Sequence, residues 1–278
     1  MAGLVKKFLA SASVVAGMSA VFGAPAMAAT FSPIGTDLIL REQVGTGFQV
    51  TNDLTQLDSI LQGDSSNPGG NVEFGSSDTG GNPLAGVQNI QGTARFTNVT
   101  EDIYNNVTWQ QTVGSQWFSD AWAQTALAGN TFVRNFAYGT FISNGGFDLI
   151  SDPNISYINE VGDDVVVGLA GHFNLADRFR NVNSTLATFL EGVQMSEIFA
   201  YDIDGVTGFG WATETTNEEA FSITDSDGFS YNGNYEVTLE EFGGILSEPP
   251  ASTPEPSTLL GLMAIGGLVA ATKRKSAK

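Results

Sequence analysis

The sequence predicts an α+β fold, a mostly antiparallel sheet with a few packed helices, on three observations. Short stretches of alternating or β-branched apolar residues recur along the middle of the chain, as half-buried strands require. Turn signals rich in Gly, Asn and Pro separate them: Pro68-Gly69-Gly70, Thr79-Gly80-Gly81-Asn82-Pro83, Asn144-Gly145-Gly146 and Asn232-Gly233. Three longer stretches instead carry apolar residues at helical spacing. Hydrophobic residues make up 42% of the 278, which supports a packed core. No tandem repeat argues for a solenoid or propeller.

Strands are expected at residues 37–40, 47–50, 94–99, 106–113, 154–158, 164–170, 196–203, 208–213 and 235–239. Asn52 or Asp53 can cap a helix whose Leu54, Leu57, Ile60 and Leu61 share one face before Gly63. Residues 116–128 bring Trp117, Ala121, Trp122 and Thr125 near one stripe. Residues 174–191 do the same with Leu175, Phe179, Val182, Leu186, Phe189 and Leu190, ending at Gly192. Residues 63–82 read as a loop. This acidic α+β domain is expected to occupy residues 29–247, and 248–253, with Pro249-Pro250, to be a stiff Pro-rich tether.

Composition removes several chemistries. The chain has no Cys and one His, so disulfides, a Cys nucleophile, thiolate zinc and multi-histidine metal sites are out of reach. A net charge of -19 repels nucleic acid, whose binders present basic surfaces. The two termini hold six of the 11 basic residues and one of the 30 acidic ones. Residues 29–253 are therefore left with five arginines, no lysine and 29 carboxylates, a net of -24. Such a surface keeps a protein soluble and its copies apart unless salt, divalent cations or polycations intervene.

Lys6-Lys7, an apolar run over 8–22 and the small-x-small pattern Ala26-Met27-Ala28 read as a secretory signal peptide, residues 1–28, cleaved after Ala28 by signal peptidase on the secretion route. At the other end Pro254-Glu255-Pro256 precedes the apolar run 259–271, which precedes Lys273-Arg274-Lys275. As a helix that run spans only about 20 Å at 1.5 Å per residue, short of a hydrocarbon core of ~30 Å. It is a marginal anchor, giving only transient membrane attachment, with the basic tail held on the cytoplasmic side and the prolines just outside.

Residues 254–278, in that tripartite order and behind a signal peptide, resemble the PEP-CTERM sorting signal of Gram-negative bacteria. The resemblance implies a partner, the membrane-embedded exosortase, which cleaves near Pro254-Glu255-Pro256 and delivers the mature protein to the cell surface or extracellular matrix. The stretch from Asn144-Gly145-Gly146-Phe147 to Gly171-His172 is also similar to a group of cyanobacterial PEP-CTERM proteins.

Candidate sites inside the domain are few. His172 follows the apolar run Val165-Val166-Val167 and reads as a local hydrogen-bonding residue, since no Gly-x-Ser-x-Gly elbow accompanies it. Asp202-Ile203-Asp204-Gly205 reads as an Asp-Gly turn between strands. Asp225, Asp227 and Glu236 match positions one, three and twelve of a Ca²⁺-binding EF-hand loop, but Phe229 and Ser230 depart from it at positions five and six. They leave a looser Ca²⁺ site as the one metal candidate, with no other cofactor. Among Trp109, Trp117, Trp122 and Trp211, the second and third are expected in the core. The expectation is a non-enzymatic surface or matrix protein with a structural or interaction role. An exopolysaccharide-binding module, needing exposed aromatics in a groove, is the alternative, and a secreted hydrolase comes behind it.

Overall fold

The structure, a computed structural model, describes residues 30–44, 47–51, 53–75, 83–172, 174–216, 223–224, 230–231 and 233–246. Along the chain β1 (Phe31–Ile34), β2 (Leu38–Val44), β3 (Gly47–Thr51), α1 (Leu57–Leu61), β4 (Gly70–Phe74), β5 (Gly86–Asn89) and β6 (Ala94–Thr97) come first. A helical stretch follows: α2 (Glu101–Tyr104), α3 (Val107–Trp109), a π turn (Gln110–Gly114), α4 (Ser115–Ala123) and α5 (Thr131–Ser143). Next come β7 (Asn154–Val161), β8 (Asp164–His172), α6 (Ala176–Phe179) and α7 (Ser184–Phe189). The last elements are β9 (Met195–Ser196), β10 (Phe199–Ile203), β11 (Val206–Gly210), β12 (Ile223–Thr224), β13 (Ser230–Tyr231) and β14 (Gly233–Leu239).

One sheet runs β1-β5-β6-β10-β11. The larger runs β14-β8-β7-β4-β2-β3, with β9 joining β8, and β12 pairs β13 separately. The pairings between these strands are antiparallel. Both large sheets contribute to one core: Val87, Phe96 and Phe199 from the first, Phe74, Leu169 and Tyr235 from the second, with Leu57, Ile60 and Leu61 of α1. The helices build a second core around Trp117, Phe118, Trp122, Phe141 and Phe179. There Phe147 meets Trp109 and Phe141 edge-on, each at a centroid distance of 4.8 Å, a geometry that sets ring edge against ring face. Antiparallel sheets with segregated helices make the fold α+β, as the sequence predicts.

Local chemistry explains most boundaries. Asp204 and Gly205, both at positive φ (50° and 78°), join β10 to β11 with Ile203 opposite Val206, the mirror-image turn that matches strand twist. The Asp202 carboxylate accepts the Gly205 N–H at 3.1 Å, so the turn expected at this acidic pair is what forms. Asp53 caps the turn leading into α1 by accepting the Thr55 N–H.

Four expectations change. Residues 106–113, rich in β-branched residues, are helical: the Asn106 side chain accepts the N–H groups of Thr108 and Trp109, and the helical turn buries Trp109 and Val113. The helix expected over 174–191 is two, α6 and α7, because Asn183 takes an extended backbone and caps the second through the Leu186 N–H. The helix expected to reach 128 stops at Ala123. Residues 63–82, read as a loop, contain β4, an interior strand of the larger sheet. The sequence reading also passed over α5, whose Thr, Val, Ile, aromatic and Gly content carries little helix propensity; Asn130 caps it by accepting the Val133 N–H.

Candidate functional site

Alternation along β4 sends Val72 and Phe74 into the core and Asn71 and Glu73 to the other face of the larger sheet. Register gathers more polar residues there. Arg41 of β2 lies opposite Asn71, Asn154 of β7 opposite Glu73, and on β14 Asn234 and Glu236 lie opposite Ala170 and Gly168 of β8. A bulge between Ile155 and Tyr157 turns Tyr157 toward Gly168. A methyl group on Gly168 would collide with the Tyr157 ring, so the missing side chain is what lets that ring lie across β8.

The seam is desolvated. Arg41, Asn71, Asn154, Ser156 and Asn234 are buried, and Glu73 is nearly so. Arg41 Nη1 donates to Glu73 Oε2 at 2.6 Å and to Asn154 Oδ1 at 3.2 Å. Ser156 Oγ donates to Asn234 Oδ1 at 3.3 Å. Among the described residues, both amide atoms of Asn71 and Nδ2 of Asn234 have no hydrogen-bond partner. Toward solvent, Tyr157 donates to Glu236 Oε2 at 2.8 Å. Burial first and the Glu236 charge second push the Tyr157 phenol well above the ordinary tyrosine value, so at neutral pH it is a donor and not a base. Arg41 and Glu73 neutralise one another. The buried charges of the seam are thus opposed within it, and Glu236 carries an exposed carboxylate at its edge.

Among the sequence-predicted residues, Glu236 sits on this face, held by Tyr157. Asp225 and Asp227 lie outside the described residues, as do Ala26, Ala28, Pro254, Glu255, Pro256, Lys273, Arg274 and Lys275. Among the described residues no three His, Asp or Glu side chains group to hold a metal ion. His172 ends β8, buried, its carbonyl accepting the Tyr235 hydroxyl at 2.6 Å. All four tryptophans are buried, Trp117 and Trp122 as expected. Trp211 donates to Asp120 Oδ2 at 3.0 Å, so no tryptophan offers a sugar-stacking platform. The seam itself escaped the sequence reading, although Asn71-Val72-Glu73-Phe74 alternates polar and apolar as a two-faced strand does.

No helix of the described residues is long and apolar enough to cross a membrane. No curated protein and no solved structure matches the chain, so the likeness to a cyanobacterial group gains nothing from them. Residues 252–275 match the PEP-CTERM protein-sorting motif, covering the Pro-Glu-Pro, the apolar run and the basic cluster in order. That match supports an exported protein, processed by an exosortase and placed at the cell surface.

Proposed function

We propose that the chain is an exosortase substrate whose mature part, the acidic domain of residues 29–247 on its 248–253 tether, serves a structural or interaction role outside the cell and catalyses no reaction. The carrying observation is the sorting motif at 252–275 behind a signal peptide. The apolar run is too short for a lasting anchor, so removal near Pro254-Glu255-Pro256 frees a domain with five cations and about thirty carboxylates. Burial of the tryptophans weighs against the exopolysaccharide-binding alternative, which needs exposed aromatics in a groove. Ca²⁺ at Asp225, Asp227 and Glu236 would draw copies or anionic polymers together. Calorimetry with Ca²⁺ checks this, and neither heat nor a melting shift would remove it.

Mass spectrometry of the termini tests the main reading. The surface fraction should begin at Ala29 and end near Pro254-Glu255-Pro256, and Pro254→Ala with Pro256→Ala should leave an uncleaved, membrane-retained chain. Full-length protein soluble in the cytoplasm with both ends intact would overturn it.

A further inference from the structure

Asp120 and Asp148 bracket 27 residues without a carboxylate, in a chain that carries 30. Helix α5 lies inside this window, and Arg134 is its one charged residue. Ala137 and Phe141 bury one face against the helical core. On the opposite face Phe132, Phe136, Gly139 and Ser143, spaced four, three and four apart, form one straight stripe. Phe132 is 81% exposed and Phe136 62%, the two most open aromatic rings among the described residues. Nothing lies within 4 Å of where a Gly139 side chain would start.

From this we infer that α5 is the contact through which two copies of the chain pair, antiparallel about a two-fold axis passing between Ala137 and Tyr138. In that register Phe132 faces Ser143 of the partner and Phe136 faces the partner's Gly139. Each ring then enters a gap left by a small residue, and the stripe is complementary to itself, as an isologous contact must be. A lipid surface or a polymer would need the rings but would have no use for the gaps. Electrostatics selects the same place. Two bodies this acidic repel almost everywhere, and the carboxylate-free window is where they can touch at least cost. A helix about 20 Å long buries less than the ~800 Å² per partner of a standard interface, so the pair is weak and forms where the protein is concentrated. The inference stands whether or not the chain is exported.

Sedimentation of the full chain at rising concentration should show a monomer–dimer equilibrium. It should tighten about tenfold from low salt to roughly 0.5 M NaCl, because salt screens the repulsion and the contact contains no ion pair to weaken. Gly139→Leu should abolish pairing while melting no lower than the parent, since it fills the gap and replaces Gly within a helix. The chain has no cysteine, so register can be read by cross-linking. Phe132→Cys mixed with Ser143→Cys should form a disulfide dimer, and Ser143→Cys alone should not. Pairing undisturbed by Gly139→Leu, or cross-linking no faster in the mixture than with Ser143→Cys alone, would overturn the proposal. So would liposome or polysaccharide retention that Phe132→Ser removes and Gly139→Leu keeps, which would assign the face to a lipid or a glycan.

Discussion

Arg41 stands opposite Asn71 in the sheet register but directs Nη1 to the carboxylate of Glu73, 2.6 Å away, on the same strand and the same face. The two side chains retain only 7% and 11% of their exposure. Asn154, opposite Glu73 on the next strand, takes a second bond from the same nitrogen. Three strands are thus held by one guanidinium across a seam whose Asn71 has no hydrogen-bond partner among the described residues.

Removing Glu73 should therefore cost far more than a surface ion pair would. Glu73→Ala leaves a desolvated guanidinium without its carboxylate and is expected to lower stability by about 3–5 kcal/mol. An exposed pair such as Arg180 with Glu191, 2.8 Å apart, should lose far less on Glu191→Ala, because water screens it. Urea unfolding of the two variants side by side checks the contrast. Equal losses would show that water reaches the seam.

The β10–β11 turn gives a second test. Asp204 and Gly205 both hold positive φ, and nothing lies within 4 Å of an added Gly205 side chain. The methyl of Gly205→Ala would meet no neighbour, so its effect is the left-handed backbone, about 1–2 kcal/mol of lost stability. Thermal melting reads it, and a value near zero would mean that the turn had changed type.

Alkaline pH should unfold the protein through its phenols. Burial is the leading cause that raises Tyr104, Tyr138, Tyr157 and Tyr235 above the ordinary value, with Asp148 adding at Tyr104 and Glu236 at Tyr157. The folded chain keeps protons that the unfolded chain releases near pH 10, so stability falls as pH rises past that value. Phenolate absorbance should appear together with loss of structure. Titration of all six tyrosines near pH 10, with the fold intact, would contradict this.

Legibility followed how far local chemistry agreed with tertiary demand. β8, with Val165-Val166-Val167 in an unbroken apolar run, reads directly as a strand, and the Asp204-Gly205 turn is legible because the dipeptide carries its own φ preference. β4 is hard to see. Its Gly70, Asn71 and Glu73 resemble loop residues, and only burial on both faces between β2 and β7 makes it a strand. Residues 106–113 mislead for the opposite reason: β-branched side chains favour a strand, but an Asn cap and two inward apolar residues favour a helix. The seam shares the difficulty of β4, since its hydrogen-bonded partners are 32 to 113 residues apart and only register unites them. The sorting signal is legible because the motif is an order along the chain: Pro-Glu-Pro, apolar run, basic cluster.

The π turn at Gln110–Gly114 supplies a final prediction. A π turn closes its bonds one residue wider than an α-helix, and the Ser115 N–H donates to the Gln110 carbonyl. Here the Tyr138 hydroxyl of α5 donates to the Gln110 carbonyl, tying α5 to the turn. Where the turn ends, Gly114 lets Phe147 close in: an added methyl would stand 2.5 Å from the ring tip and 3.0 Å from the Tyr138 hydroxyl. Phe147 cannot retreat, because Trp109 and Phe141 hold it from two other directions. Gly114→Ala is therefore expected to lose about 1–3 kcal/mol by overpacking, despite the better helix propensity of Ala. Tyr138→Phe keeps the ring but leaves the Gln110 carbonyl without this donor, a loss of about 1 kcal/mol. Because both act on one contact, the double variant should lose less than the sum of the singles. Strict additivity in urea unfolding would show that the hydroxyl and Gly114 act separately.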